Sequence, residues 1–413
     1  MSALPLAGLR VLDLTRLLPG GFCTLQLADM GAEVLKVEDT GAGDYLRWVP
    51  PYCDGVHSSA RSALFLSLNR NKRSIRIDLR SEGGRELFMA LVARHDVLVE
   101  SFRPGVLDRL GVGYERLRER HPGLVYCAIT GYGQDGPMRS APGHDINYLA
   151  LVGMLGLTGE HGGPPVLSAA QIADLGGGAM MAAFAIMAAL RERDGSPGAP
   201  GSGEGQLVDV SMADGALSWL AFPAAEYFAT GTVPQRGGLM LGGGAICYRT
   251  YQCVDGWMAL GAVEPKFWQA FCAAVGREDL FGAQFDTPGS QAHATVTEIF
   301  AGRTRAQWQQ FASEHECCLE PVLGIDEALA SDLVRAREMV VEVPQPGASA
   351  PIRQLGAPVK LTRTPAQPVR WPAPALGEHT HEVAAELGYS DDRIAALKRA
   401  GAIAGEWTAD DVS

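Results

Sequence analysis

Three short stretches of the 413-residue chain carry residue types that can move a proton. Gly143-His144-Asp145-Ile146-Asn147-Tyr148 sets a histidine beside a carboxylate in a predicted loop. Gln171-Ile-Ala-Asp174 runs through Leu175 into Gly176-Gly177-Gly178 and then a long apolar helix. Gly261-Ala-Val-Glu264-Pro265 stands at a strand-to-helix junction. Each has a plain structural reading. Asp145 or Asn147 can cap a helix, Asp174 can do the same, and Glu before Pro suits a helix start. The glycine run is harder to explain as capping alone. Glycine costs a helix interior roughly 1 kcal/mol relative to alanine, so three in succession suit a place where something approaches the backbone. A carboxylate beside open N–H groups at a helix N-terminus can remove a proton and stabilise an oxyanion. Gly176 and Gly177 are the candidate donors.

The chain is acidic, with a formal charge of −12. Nothing general in it attracts nucleic acid or anionic lipid, so neither is an expected partner. Two local basic stretches stand out, Asn71-Lys72-Arg73 and Ser101-Phe102-Arg103-Pro104-Gly105 with Arg109. Both lie near predicted strand ends, where open α/β sheets hold ligands. Phosphate binding and solvated surface are the two readings. Gly131-Tyr132-Gly133-Gln-Asp-Gly136 matches a dinucleotide fingerprint after a predicted strand. Pro137 and Pro142 follow instead of a helix, and no acid-tipped strand comes next, so a nicotinamide dinucleotide is not expected. The glycines still permit close approach. His379-Thr-His381 lacks further ligands, and no metal is expected. Eight scattered cysteines without C-x-x-C spacing read as reduced thiols of a cytoplasmic protein. The opening MSALPLAGLR lacks the basic region of a secretory signal. The apolar run Ala179–Leu190 falls short of the about 20 residues a bilayer needs and reads as a core helix.

An alternation of strands and helices must position these groups. Leu9–Leu14, Glu33–Glu38, Ser74–Leu79, Asp96–Glu100 and Leu124–Ile129 read as strands. Helices are predicted over Thr24–Met30, Gly83–Arg94 and Leu107–Arg120. The repeat is that of an α/β fold with a mostly parallel sheet. A Gly/Ser/Pro linker spans Asp194–Gly205, and Gln206–Ser211 reads as a further strand. Cys247–Val254 and Trp257–Val263 then pair around Asp255-Gly256, followed by helices over Pro265–Val275 and Ala306–His315. The division reads as a large α/β domain over 1–200, a connection over 201–224, a smaller α+β domain over 225–335 and a return over 336–413. Helices close the chain at Thr380–Leu387 and Asp391–Arg399, with a frayed acidic end over Glu406–Ser413.

Taken in order, these motifs resemble the family III CoA-transferase superfamily of CaiB/BaiF type, and within it the α-methylacyl-CoA racemases. The resemblance runs from Leu6-Ala-Gly-Leu-Arg-Val-Leu-Asp-Leu14 and Leu27-Ala-Asp-Met-Gly-Ala-Glu-Val-Leu-Lys-Val-Glu38 through Asn71-Lys-Arg-Ser74 and Phe102-Arg-Pro-Gly-Val-Leu-Asp-Arg-Leu-Gly111. It continues in Gly205-Gln-Leu-Val-Asp-Val-Ser-Met212 and Leu376-Gly-Glu-His-Thr-His-Glu-Val383. It implies a Rossmann-like large domain, a small α+β domain and an interlocked homodimer with each site between two chains. It implies an isomerase of lipid metabolism that racemises 2-methylacyl-CoA thioesters through an enolate. His144 and Asp174 would exchange the α-proton, and Glu264 would support His144. No cofactor is implied beyond the coenzyme A of the substrate. Lys72, Arg73, Phe102, Arg103, Arg109, Gly131 and Tyr132 are the implied CoA contacts. The transferase branch uses an aspartate at the place of Asp174 as a covalent nucleophile and generally lacks the histidine, so a CoA-transferase is the alternative. Two features depart from the racemase pattern. The segment from Gly43 to Leu66 is longer and more transferase-like, and Asp39 stands where many relatives carry a basic residue.

Overall fold

Short runs of Val, Leu and Ile flanked by charged residues form the strands, buried on both faces as in parallel sheets covered by helices. The computed structural model describes residues 4–407. The expected frayed end therefore lies mostly outside the described residues, from Thr408 on. The strands are β1 (Arg10–Leu14), β2 (Glu33–Glu38), β3 (Lys72–Ile77), β4 (Val97–Glu100) and β5 (Val125–Thr130). Helices α1 (Leu17–Asp29), α2 (Ala63–Asn69), α3 (Glu82–Val92), α4 (Val106–Arg109), α5 (Tyr114–Arg120) and α6 (Asp145–Leu151) alternate with them or follow. The sheet order is β3-β2-β1-β4-β5, then the strand Leu207–Ser211, all parallel. The strand Ile403–Ala404 closes the β3 edge antiparallel. The order reverses between β1 and β4, and such a switch point leaves a crevice at the strands' carboxyl ends.

Three predicted elements change. The helix expected over Thr24–Met30 is α1 and starts at Leu17. The single helix expected over Leu107–Arg120 is α4 and α5, broken at Gly111, whose φ of 75° leaves the helical region. The apolar helix is longer than expected. It runs from Ile172 to Asp194, 23 residues with an 18-residue stretch of mean hydropathy 1.6, which by length and composition alone is enough to cross a membrane. It packs on α1, β5 and the Leu207–Ser211 strand, so in this fold it is a sheet-covering helix. Its first part, Ile172–Met180, is a π-helix, a rare form that favours functional sites.

The chain divides into two units. The larger comprises Met1–Leu149, Ala170–Ala216 and Asp332–Ser413, and the smaller Ala150–Ala169 and Leu217–Ser331. The smaller unit thus begins earlier than the predicted 225, ends at Ser331 and takes in a segment before Asp174. Its antiparallel strands Tyr248–Cys253, Gly256–Gly261 and Leu319–Pro321 carry helices Pro265–Ala274, Gln291–Ala301 and Arg305–Glu314. Trp268, Phe271, Phe300 and Trp308 are wholly buried at its core.

Candidate active site

The larger unit brings His144 and Asp174 together through a residue that lies between them in role. His144 precedes α6, and its N–H donates to Asn147 Oδ1 at 3.0 Å, so Asn147 lies inside the first turn and reaches back to the histidine rather than capping the helix as expected. Asp145 does something else. Its Oδ1 accepts the N–H groups of Ala173 (2.7 Å) and Asp174 (3.0 Å), at the open end of the π-helix. One carboxylate therefore ties the histidine loop to the aspartate helix. Asp174 is half-buried. Burial first, then the charge of Asp145, push its pKa up to about 6, while His144 pulls the other way. A carboxyl titrating there can accept and return protons near neutrality.

Tyr148 locks the loops around this pair. Its hydroxyl donates to the Gly143 carbonyl at 2.7 Å, and its ring meets Tyr132 edge-on at 5.1 Å. A Cβ on Gly131 or on Gly143 would stand 2.6 Å from that ring. The glycines that seemed to leave room for a ligand thus leave room for Tyr148. Burial, Asp174 and Tyr132 push the Tyr148 phenol up to about 12, and Arg103 works against them. Arg103 therefore lies within electrostatic reach of the site.

Gly176 and Gly177, expected as oxyanion donors, follow Leu175, whose N–H closes onto the Gln171 carbonyl at 2.9 Å. Close packing requires glycine at two positions of the run. A Cβ on Gly177 would meet the Met212 carbonyl oxygen at 2.6 Å, and one on Gly178 the Met212 side chain at 2.8 Å.

A second feature occupies the switch point. A cavity of about 390 Å³ opens at the carboxyl ends of β1, β2 and β3, lined among others by Arg16, Asp39, Arg80 and Phe102. Arg16 pairs with Asp39 at 2.5 Å, donates to Tyr45 Oη at 2.9 Å and lies 5.7 Å from the centroid of the Phe102 ring. Arg103 and Arg109 are exposed on the segment that follows Phe102. Lys72 is a correction. Its side chain is buried in the sheet, bonded to Asp13 (3.1 Å), Thr24 (2.7 Å) and Asn69 (3.0 Å), with no surface left for a phosphate. Arg73 is another. It starts β3, at the opposite end of the sheet from the cavity, and Glu382 and Glu386 hold it at 3.0 Å.

Glu264 stands in the smaller unit. It is exposed, precedes the helix Pro265–Ala274, and makes no capping bond with its side chain. The buried Gln284 amide donates to the carbonyls of Ala262 and Val263 at 3.0 and 2.7 Å, which fixes the strand exit leading to it.

Residues 6–380 match the family described as CoA-transferase family III. The chain belongs to that family. It is 36% identical over 404 residues to an alpha-methylacyl-CoA racemase of Mus musculus, covering 95% of this chain and 96% of that one. It is 35% identical over 396 residues to a succinyl-CoA:mesaconate CoA-transferase of Haloarcula marismortui, covering 92% and 96%. A solved CaiB/BaiF family protein from Brucella suis superposes with a TM-score of 0.79 at 31% identity, over 94% of this chain and all of that one. Racemases and transferases thus stand at nearly the same distance from this family III chain. Its match spans both units. Sequence reasoning missed three residues of the candidate site: Asp145 as the tether, Tyr148 as the lock, and Arg16 at the cavity. Arg16 lies two residues beyond the carboxyl end of β1, near a strand end as Arg103 does.

Proposed function

We propose that this family III enzyme racemises 2-methylacyl-CoA thioesters by 1,1-proton transfer. The observation that carries the reading is the coupling of His144 to Asp174 through Asp145. Inverting an α-carbon needs a base on one face and an acid on the other. Asp174 would take the α-proton of one enantiomer, leaving the electron pair in an enolate of the thioester. His144 would deliver a proton to the opposite face, and the reverse reaction exchanges the roles. A carboxyl held near 6 suits that exchange better than a fully ionised nucleophile would. Glu264 would support His144, from a second copy of the chain in the proposed interlocked homodimer. Phe184, Phe222 and Phe228, exposed by 72%, 80% and 81%, are apolar surface that a second copy would cover. The coenzyme A moiety of the substrate would lie along the switch-point cavity against Phe102, Arg103 and Arg109, with Gly131 and Tyr132 at its thioester end. Eight free cysteines suit a reducing, cytoplasmic setting.

The identity to named CoA-transferases favours a second reading. There Asp174 would attack the thioester carbonyl, forming an acyl anhydride and releasing the CoA thiolate, which then attacks the aspartyl carbonyl of the anhydride, expelling the donor acid as its carboxylate and leaving an aspartyl-CoA thioester. Replacing His144 by Ala separates the two. The racemase reading requires loss of inversion with this variant. Retained transfer of CoA from a thioester to an added free acid would favour the transferase.

A further inference from the structure

The switch-point cavity has an apolar floor and charges that are already paired. Leu14, Val37 and Ile77, at the ends of β1, β2 and β3, are buried beneath it. Two cations line it, Arg16 and Arg80. Arg16 is held on Asp39 at 2.5 Å, and Arg80 on Asp78 at 2.9 Å. Glu38, also in the lining, is taken by Arg47, whose Nη2 donates to it at 2.7 Å.

Asp39 is fixed where it stands. Its Oδ1 accepts the N–H groups of Gly41 (2.8 Å) and Gly43 (3.2 Å), while Oδ2 takes Arg16. Arg16 in turn donates to Tyr45 Oη at 2.9 Å, and its guanidinium carbon lies 5.0 Å from the Tyr45 ring centroid and 5.7 Å from that of Phe102. The pair is thus held from both sides. Outside the cavity the setting differs. Among the described residues no ion pair holds Arg103 or Arg109, and both are exposed.

A phosphate brought to Arg16 would meet the fixed Asp39 carboxylate, and like charges placed together cost affinity. A hydroxyl has no such conflict. A carboxylate offers about four acceptor sites, so the Gly41, Gly43 and Arg16 donors leave room for another. Asp39 also directly follows β2, the strand reached from β1 through α1. In β-α-β units that hold nucleotides, an acid near that tip accepts a ribose hydroxyl, whereas arginine there accommodates a ribose phosphate.

We propose that Asp39 determines specificity at the nucleotide end of the thioester: it accepts a ribose hydroxyl and works against a ribose 3′-phosphate, so the enzyme favours 3′-dephospho-coenzyme A carriers over coenzyme A. The diphosphate falls to Arg103 and Arg109 outside the cavity. This rests on the reading of the cavity as the coenzyme A site.

The test measures binding of coenzyme A and of 3′-dephospho-coenzyme A to the full-length protein by calorimetry at neutral pH. Wild type should bind the dephospho form about tenfold more tightly, the size of one screened charge repulsion. Asp39→Asn keeps an acceptor for the Gly41 and Gly43 amides and removes the charge. It should bind coenzyme A about tenfold more tightly than wild type does, and the ratio of the two ligands should fall to about one. Salt gives a test without substitution. The wild-type preference should shrink as salt rises from about 0.02 M to about 0.5 M, because ions screen the repulsion. Wild type that binds coenzyme A as tightly as the dephospho form, or more tightly, overturns the proposal. So does a preference that survives Asp39→Asn, or one indifferent to salt. Wild type that binds neither ligand brings down the reading of the cavity, and this proposal with it. Binding of both without preference brings down only the role of Asp39.

Discussion

Asp13 and Asp174 are both carboxyls in the shelter of α1, and their surroundings drive them apart. Asp13 is fully buried at the heart of the sheet. Thr15, Thr24 and Lys72 donate to it at 2.5, 2.7 and 3.1 Å, and Lys36 lies close by. Burial alone would raise its pKa, but the two lysines and the hydroxyls outweigh burial and hold it well below the usual carboxylate range. Among the described residues no lysine or arginine acts on Asp174 in this way. Its close neighbours are another carboxylate and one histidine, and it sits higher than an ordinary aspartate. The lesson is that burial does not make a buried acid functional. A fully satisfied acid is locked as an anion and serves the fold. An acid denied its cations, but placed beside a second titratable group, remains able to exchange its proton.

The contrast can be broken at either pole. Asp174→Ala and His144→Ala should each reduce α-proton exchange by about 10²–10⁴-fold, measured by isotope incorporation, with the unfolding curve unmoved. Lys72→Met should do the reverse. Removing one partner of a buried ion pair costs about 3–5 kcal/mol, read as a lower urea midpoint, with turnover per folded molecule retained. Gly143→Ala sets a Cβ 2.6 Å from the Tyr148 ring, so the overpacked loop should lose about 1–3 kcal/mol in urea unfolding. It should also lower kcat, because the loop that carries His144 must shift. Asp145→Asn gives the smallest effect and the sharpest one. The amide oxygen can still accept the Ala173 and Asp174 N–H groups, but the like charge is gone. Asp174 must be ionised to act as a base, so activity falls as pH drops below about 6 in wild type. In the variant that acid limb should move to lower pH. An unmoved limb would mean that Asp145 does not set the basicity of Asp174.

Local pattern made most of the large unit legible. Apolar runs such as Val97–Val99 can only be buried strands, and five of them in alternation with helices fix the fold class. The smaller unit's hairpin was legible for the same reason, since Asp255-Gly256 punctuates two alternating runs. Elements that depend on distant partners were not. Nothing in Ala150–Ala169 marks it as leaving the large unit, because its composition resembles any loop. The tight packing of Gly177 and Gly178 on Met212 depends on a residue more than 30 positions away, so the glycine run could not disclose it. In the site, His144 and Asp174 stood out by type and setting, and the structure brings them together. Lys72 misled because a lysine at a strand start looks exposed until Asp13 and Thr24 are seen beneath it. The roles of Asp145 and Tyr148 required knowing what lay across from them.

The most direct measurement dissolves the enzyme with one enantiomer of a 2-methylacyl-CoA in D₂O, with no acceptor acid. Solvent deuterium should appear at the α-carbon, with loss of configuration, at a rate proportional to enzyme and abolished by His144→Ala. Retained configuration and no α-deuterium across several acyl chains, with CoA passing to an added free acid, would contradict the paired acid/base account and leave Asp174 a nucleophile.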